Sequence, residues 1–353
     1  MLLSGIPIAL LINQLGSKYS MITGACLAVA ANLIISSANH YLQIGIGTLL
    51  FGAGAGSWIL ARIHYVTETI PLSHRGRAMA TMMAVERCGW IIGPLLAGVL
   101  IQYLQHSAAF IFSATSATLA LLLVTLFGPT HQPRYKKNSE NQIANVLSMA
   151  KKYRHVFLNA GIVVTVLQLL RSTRSFIIPI WGITIGIDET AIGSLIFFSA
   201  LLELVMFYPA GQLLDKHSRK ASGLPCLLLF SLGFLLLPLT SLYWQLLAVA
   251  FVTSIGNGLG TGFVMTLGAD FAPTNKRATF LGLWRIVGDA GNLSGPIITG
   301  FVAGALSLAG ASLAIGGIGM LGGWWLLAKV PNPCREKNVT QPSVSTKGCD
   351  LNK

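Results

Sequence analysis

Apolar runs of about twenty residues alternate with short polar stretches along most of the chain. A helix rises 1.5 Å per residue, so a run of this length crosses roughly 30 Å of bilayer hydrocarbon. The pattern predicts helices over 19–38, 42–66, 78–104, 107–127, 157–182, 190–211, 222–240, 243–268, 278–304 and 306–328. A short apolar stub ending near residue 14 precedes them and is too short to span.

Composition agrees with a chain that lives in lipid. Of 353 residues, 53% are hydrophobic and only 10% charged, where a soluble domain carries about a quarter charged residues. Mean hydropathy is +0.68. The opening "MLLSGIPIALLINQLG" lacks the basic start and cleavage site of a signal peptide. Five cysteines, an odd count with Cys26, Cys88 and Cys226 in apolar segments, predict no disulfide framework.

The net charge of +13 is explained by where it falls. With loop 128–156 in the cytoplasm, Lys18, Arg75, Arg77, Lys216, Arg219, Lys220, Lys276 and Arg277 all lie on that side, with the lysines and arginines of the loop itself. The opposite loops, around Asn39, His106, 185–190, Ser241 and Leu306, hold no lysine or arginine. This positive-inside asymmetry orients a multi-pass membrane protein and requires no nucleic-acid partner.

The chain also repeats itself. "GWIIGPLLAG" (Gly89, Gly93, Pro94, Gly98) returns 202 residues later as "GNLSGPIITG" (Gly291, Gly295, Pro296, Gly300). At the same offset Pro7 meets Pro209, Lys18 meets Lys220, Tyr41 meets Tyr243, Pro71 meets Pro273, Arg75 meets Arg277 and Glu68 meets Asp270. One offset over about ninety residues means internal duplication, a transporter architecture. The expected layout is a first lobe at 1–127, a basic linker at 128–156, a second lobe at 157–330 and a polar, disordered tail at 331–353. Shifted back by 202, helix 157–182 falls before Met1 and helix 190–211 straddles it. The expectation is an N-terminally incomplete, all-α bundle of about ten full transmembrane helices plus a half helix.

"GQLLDKHSRK" carries a specific resemblance. It follows G-x-L-x-D-R-x-G-R-R, the cytoplasmic signature of the Major Facilitator Superfamily, at Gly211, Leu213, Asp215, Arg219 and Lys220, with Lys216 for arginine and Ser218 for glycine. Its first-half twin "ALLINQLGSK" has Asn13 at the acidic position and Gln14 at the basic one. Gly89, Gly93, Pro94 and Gly98 resemble the fifth-helix motif of the drug–proton antiporter branch. That branch places an arginine early in its fourth helix, where this chain has Thr48. The resemblance implies a two-lobe fold in which fifth and eighth helices face each other, the seventh lines the cavity, and a small molecule crosses by alternating access.

Glycines four apart let helices approach closely, and Pro94 and Pro296 permit bends. Rocking helices and static tight packing are equally weighted readings. The family arrangement brings Asp215 to Arg75 or Arg77 at a positive helix start, as a latch on the cytoplasm-closed state; a solvated loop charge is the alternative. Ionisable residues inside the spans are functional candidates: Glu86, Arg87, Arg171, Arg174, Glu203, Arg285 and Asp289. Arg62 lies near enough to the cytoplasmic end to snorkel. Arg87 and Glu203 both sit about 15–18 Å from the cytoplasmic markers, which predicts a pair across the seam. Such a pair is equally a structural bridge or a coupling site. Arg171 and Arg174 share one face, where they neutralise an anionic substrate or hold an acid ionised; pairing within the bundle is weighted equally. Glu203 and Asp289 are the candidate proton carriers. Trp58, Trp90, Trp181 and Trp284 are read as packing before stacking, and Trp244, Trp324 and Trp325 as interface anchors.

No metal spacing, nucleophile elbow or phosphate loop is present, and "GNGLGTG" falls inside a helix without the lysine such a loop needs. The expectation is a non-enzymatic transporter without cofactor or metal, in the plasma membrane or a bacterial inner membrane. Its partners are lipid, a small molecule and protons. Proton-coupled multidrug-like efflux leads, an organic-anion carrier is the alternative, and a truncated, non-transporting or regulatory membrane protein is the reading from another class.

Overall fold

Backbone N–H and C=O groups find no water in hydrocarbon, so a spanning segment must satisfy them within itself. The computed structural model describes residues 5–69, 72–128, 148–216, 218–273 and 277–330, and every regular element among them is helical. The first half holds α1 (Gly5–Ser36), α2 (Tyr41–Thr69), α3 (Leu72–Tyr103) and α4 (His106–Phe127). The second holds α5 (Arg154–Thr184), α6 (Glu189–Val205), α7 (Phe207–Lys216), α8 (Arg219–Leu236), α9 (Tyr243–Leu259), α10 (Phe263–Phe271), α11 (Arg277–Ala305) and α12 (Leu308–Lys329). Nine segments among the described residues are long and apolar enough to cross a membrane. Helix α11 has the length at 29 residues, but Arg285, Asp289 and Asn292 make it less apolar.

Three joints depart from uninterrupted rods. The stub and the first predicted helix run together in α1 and bend at Gly16, whose φ of +84° only glycine adopts without strain. One span is jointed at Met206 between α6 and α7. The predicted helix 243–268, expected to run unbroken through "GNGLGTG", instead stops at Leu259 and restarts at Phe263 around Gly262, at φ +81°. Glycine serves equally as a packing residue and as a left-handed joint, and here it serves as the joint.

Between helices lipid supplies no hydrophobic drive, so close packing holds the bundle together. Helix α1 meets α2 at Gly24 and Gly54, where a Cβ on Gly24 would stand 2.8 Å from the Gly54 oxygen. Helix α11 lies against α5, while α8 lies against α9 and α12. The two halves join mainly through α3 and α6. The densely packed interior belongs to the second half, with Phe230, Phe234, Phe263, Phe280, Leu167, Leu170 and Ile177 all under 2% exposed. Among the described side chains of the first half, the largest buried apolar one is Ile91, at 9%.

Candidate functional site

A cavity of about 530 Å³ lies where the halves meet, walled by α3, α5, α6 and α9 with Phe207 at the start of α7. Its polar wall is built around Glu203, buried to 8% exposure on α6. One carboxylate oxygen accepts from Arg174 Nη1 of α5 at 3.1 Å, and the other stands 3.4 Å from Arg87 Nη1 of α3. The carboxylate therefore bridges a guanidinium of each half. Arg174 also donates to Ser254 Oγ on α9 at 2.6 Å, which fixes its far side. Arg87 stands over the Phe207 ring, 5.0 Å from its centroid, and its side chain is 47% exposed.

Glu86, the neighbour of Arg87, also lines the cavity and pairs with Arg62 of α2. The snorkelling reading of Arg62 thus gives way to an interhelical ion pair, because an acid within reach is a better partner than a distant headgroup. Trp90, Ile91 and Pro94 continue the α3 wall one and two turns further along.

The remaining candidates are dispersed. Arg171 lies on the helix face beside Arg174 but donates to Gln168 Oε1 at 3.0 Å and to the Gly260 oxygen at 2.9 Å, at the joint of α9 and α10. It does not line the cavity wall. Arg285 and Asp289 face each other along α11 at 3.9 Å and are also away from that wall. At the signature turn, Arg219 Nε donates to Asp270 at 2.6 Å and Lys220 Nζ donates to the Leu327 oxygen at 3.0 Å, tying α8 to the ends of α10 and α12. Gly211 borders open space. The side chains of Asp215, Lys216, Arg75 and Arg77 lie outside the described residues, so the expected latch does too.

The duplicated glycine motifs behave differently. A Cβ on Gly291 would stand 2.9 Å from Thr165 Cα, and one on Gly295 2.8 Å from the Leu169 oxygen, both on α5. Their twins Gly89 and Gly93 border open space. Gly98 instead packs across the seam, where its Cβ would come 2.6 Å from the Glu189 oxygen, and Thr190 Oγ1 donates to the Gly98 oxygen at 3.3 Å. Gly300 borders open space, and Pro296 is exposed.

Sequence reasoning missed three neutral residues of the site. Ser199 and Asn257 line the cavity and Ser254 holds Arg174, yet a serine or asparagine in an apolar helix is too common to single out. Of the tryptophans, Trp90 lines the cavity, whereas Trp181 donates to Thr240 Oγ1 at 2.8 Å and Trp284 to the Val264 oxygen at 2.8 Å. Among the described residues no group of three or more His, Cys, Asp and Glu is placed to hold a metal.

Comparison with known proteins agrees with this architecture. The family model for the Major Facilitator Superfamily matches residues 1–170 and 160–347. A class H tetracycline resistance protein of Pasteurella multocida is 25% identical over 307 residues, covering 82% of this chain and 73% of the relative. The quinolone resistance protein NorA of Staphylococcus aureus is 23% identical over 305 residues, covering 82% and 74%. Among solved structures, a POT family transporter in complex with a thioalcohol-conjugated peptide superposes with a TM-score of 0.75 at 13% identity, over 92% of this chain and 84% of that one. A D-xylose–proton symporter does so at 0.69 and 16% identity, over 94% and 85%. With its helical repeat, its cavity at the seam and these matches, the chain belongs to the Major Facilitator Superfamily, as an integral, multi-pass membrane transporter.

Proposed function

We propose that this transporter exports a small amphipathic organic molecule by alternating access, with protons as the driving ion. The observation that carries the reading is the bridge of Glu203 to Arg87 in one half and Arg174 in the other, in the wall of the cavity. With Glu203 ionised, the halves are tied at mid-depth by a charge-assisted contact. A proton on Glu203 removes the charge that holds both guanidiniums. The longer contact, to Arg87, yields first, since Arg174 keeps its bond to Ser254. The halves are then free to part along α3 and α6.

The resistance proteins among the relatives favour a drug-like cargo. Arg171 and Arg174, the grounds for an organic-anion carrier, both spend donors on protein acceptors and lend that alternative little. The one-sided distribution of lysine and arginine supports loop 128–156 and the C-terminus on the cytoplasmic side of a plasma or bacterial inner membrane. The repeat at an offset of 202 residues supports lobes at 1–127 and 157–330 joined by that loop.

The test is efflux from everted vesicles under an imposed pH gradient, with amphipathic cations and carboxylates as competing cargo. Glu203→Gln is expected to abolish gradient-driven movement, by roughly a hundredfold if the carboxylate is the coupling group. Gradient-driven efflux that survives both Glu203→Gln and Asp289→Asn would sink proton coupling through these acids.

A further inference from the structure

Five charged side chains gather at the seam, and two neutral pairs account for four of them. Arg62 pairs with Glu86 and Arg174 with Glu203, each at hydrogen-bond distance. Arg87 is left over. Its contact with the already shared Glu203 is long, at 3.4 Å, and its only other partner among the described residues is the Phe207 ring. Arg171, whose charge also acts on Glu203, Arg87 and Arg174, spends donors on Gln168 and Gly260, so the guanidinium that faces the cavity with most of its donors unspent is that of Arg87.

A second, independent feature lies on α6. Ser199, 2% exposed, lines the cavity one helical turn before Glu203, and its buried hydroxyl has no hydrogen-bond partner among the described residues. A buried hydroxyl left unsatisfied costs free energy that a polar ligand atom would recover. Asn257 adds an amide to the same lining.

We infer that Arg87 and Ser199 form a subsite for the acidic group of a monoanionic amphipathic molecule, a carboxylate for example, whose apolar body lies against Trp90, Ile178, Leu195 and Phe207. A single unspent cation on the wall favours one negative charge on the ligand, because a second would meet Glu203 and Glu86 without a free cation to answer it. Bidentate geometry suits arginine, which presents two parallel N–H donors to a planar carboxylate. A cavity of about 530 Å³ admits such a molecule whole. The inference rests on this cavity being the cargo path.

The test is equilibrium binding to the purified full chain in nanodiscs, with no gradient, read by quenching of tryptophan fluorescence. Three probes share one body: 4-phenylbutyrate, its neutral amide and 4-phenylbutylamine. The carboxylate is expected to bind about tenfold or more tightly than the amide, with the amine weakest. Arg87→Gln should bring carboxylate and amide level, Arg87→Lys should keep part of the preference, and Ser199→Ala should weaken the carboxylate by about threefold. Should Arg87→Gln fail to fold, the wild-type probe series and the lysine variant still decide. Equal binding of the three, a preference for the amine, no binding of any, or a preference that survives Arg87→Gln overturns the inference. Gradient-driven efflux of cations alone would leave proton-coupled export standing and defeat the anion subsite. Selective carboxylate binding without gradient-driven efflux would do the reverse.

Discussion

The two copies of the glycine–proline motif share their spacing and divide their work in opposite ways. In the second half Gly291 and Gly295 press against α5 while Gly300 borders open space. In the first half Gly98 presses against α6 across the seam while Gly89 and Gly93 border open space. A glycine's role is therefore set by the helix that faces it, and duplication copies the spacing without copying the facing helix. Helix α5 provides the face in the second half. The same contrast runs through the interiors, since phenylalanines fill the second half whereas the buried apolar residues described in the first are alanines and Ile91.

The largest break in this comparison comes from filling the glycines. Gly295→Leu drives a side chain into the α5 backbone and should cost about 3 kcal/mol or more, seen as loss of the monodisperse peak in size-exclusion chromatography. Gly93→Leu should leave that peak intact. Equal damage from both would mean that a helix faces Gly93 as closely as α5 faces Gly295.

An intermediate effect is expected at the seam. Gly98→Leu meets the Glu189 carbonyl and should cost about 1–3 kcal/mol, with the halves pushed apart. Its twin Gly300→Leu, with no neighbour in reach, should melt within about 0.5 kcal/mol of wild type. Spin labels on α3 and α6 would report the added separation, and an unchanged distance in Gly98→Leu would remove the seam from its role.

The smallest effect separates the ties at Arg219 and at its twin Ser17. Arg219 pairs with Asp270 in the second half, and its twin Ser17 instead shares a hydrogen bond of 2.8 Å with His64 Nδ1. Arg219→Ala should cost about 1 kcal/mol and Ser17→Ala about half that, by thermal melting in one detergent. A reversed order would show that the neutral tie is the stronger.

Most of the architecture is legible from the residues. Spans follow from apolar run length, and their ends agree with the structure to within about five residues, except that α1 takes in the stub and starts at Gly5 and α3 starts at Leu72. The juxtaposition of Glu203 and Arg87 follows from counting residues inward from basic loops, since rise per residue converts number into depth, together with the facing fifth and eighth helices that the family resemblance implies. What depth cannot supply is azimuth. Arg171 and Arg174, three apart, turn to a helix break and to an acid respectively. The joint at Gly260–Gly262 escaped notice because glycine is ordinary in membrane helices, and only its φ distinguishes a hinge from a contact.

That joint has a mechanical consequence. Arg171 and Ser222 donate to the terminal carbonyls of α9, at Gly260 and Leu259, so the interrupted ladder leaves these acceptors satisfied. A rod cut and capped in this way transmits push along its axis but little twist. Helix α10, nine residues or about 13 Å long, can act as a crank arm held at its far end by Asp270, while α9 stays seated against Arg174. Deuterium uptake through this span should then fall into two blocks that meet at Gly262, each exchanging at its own rate.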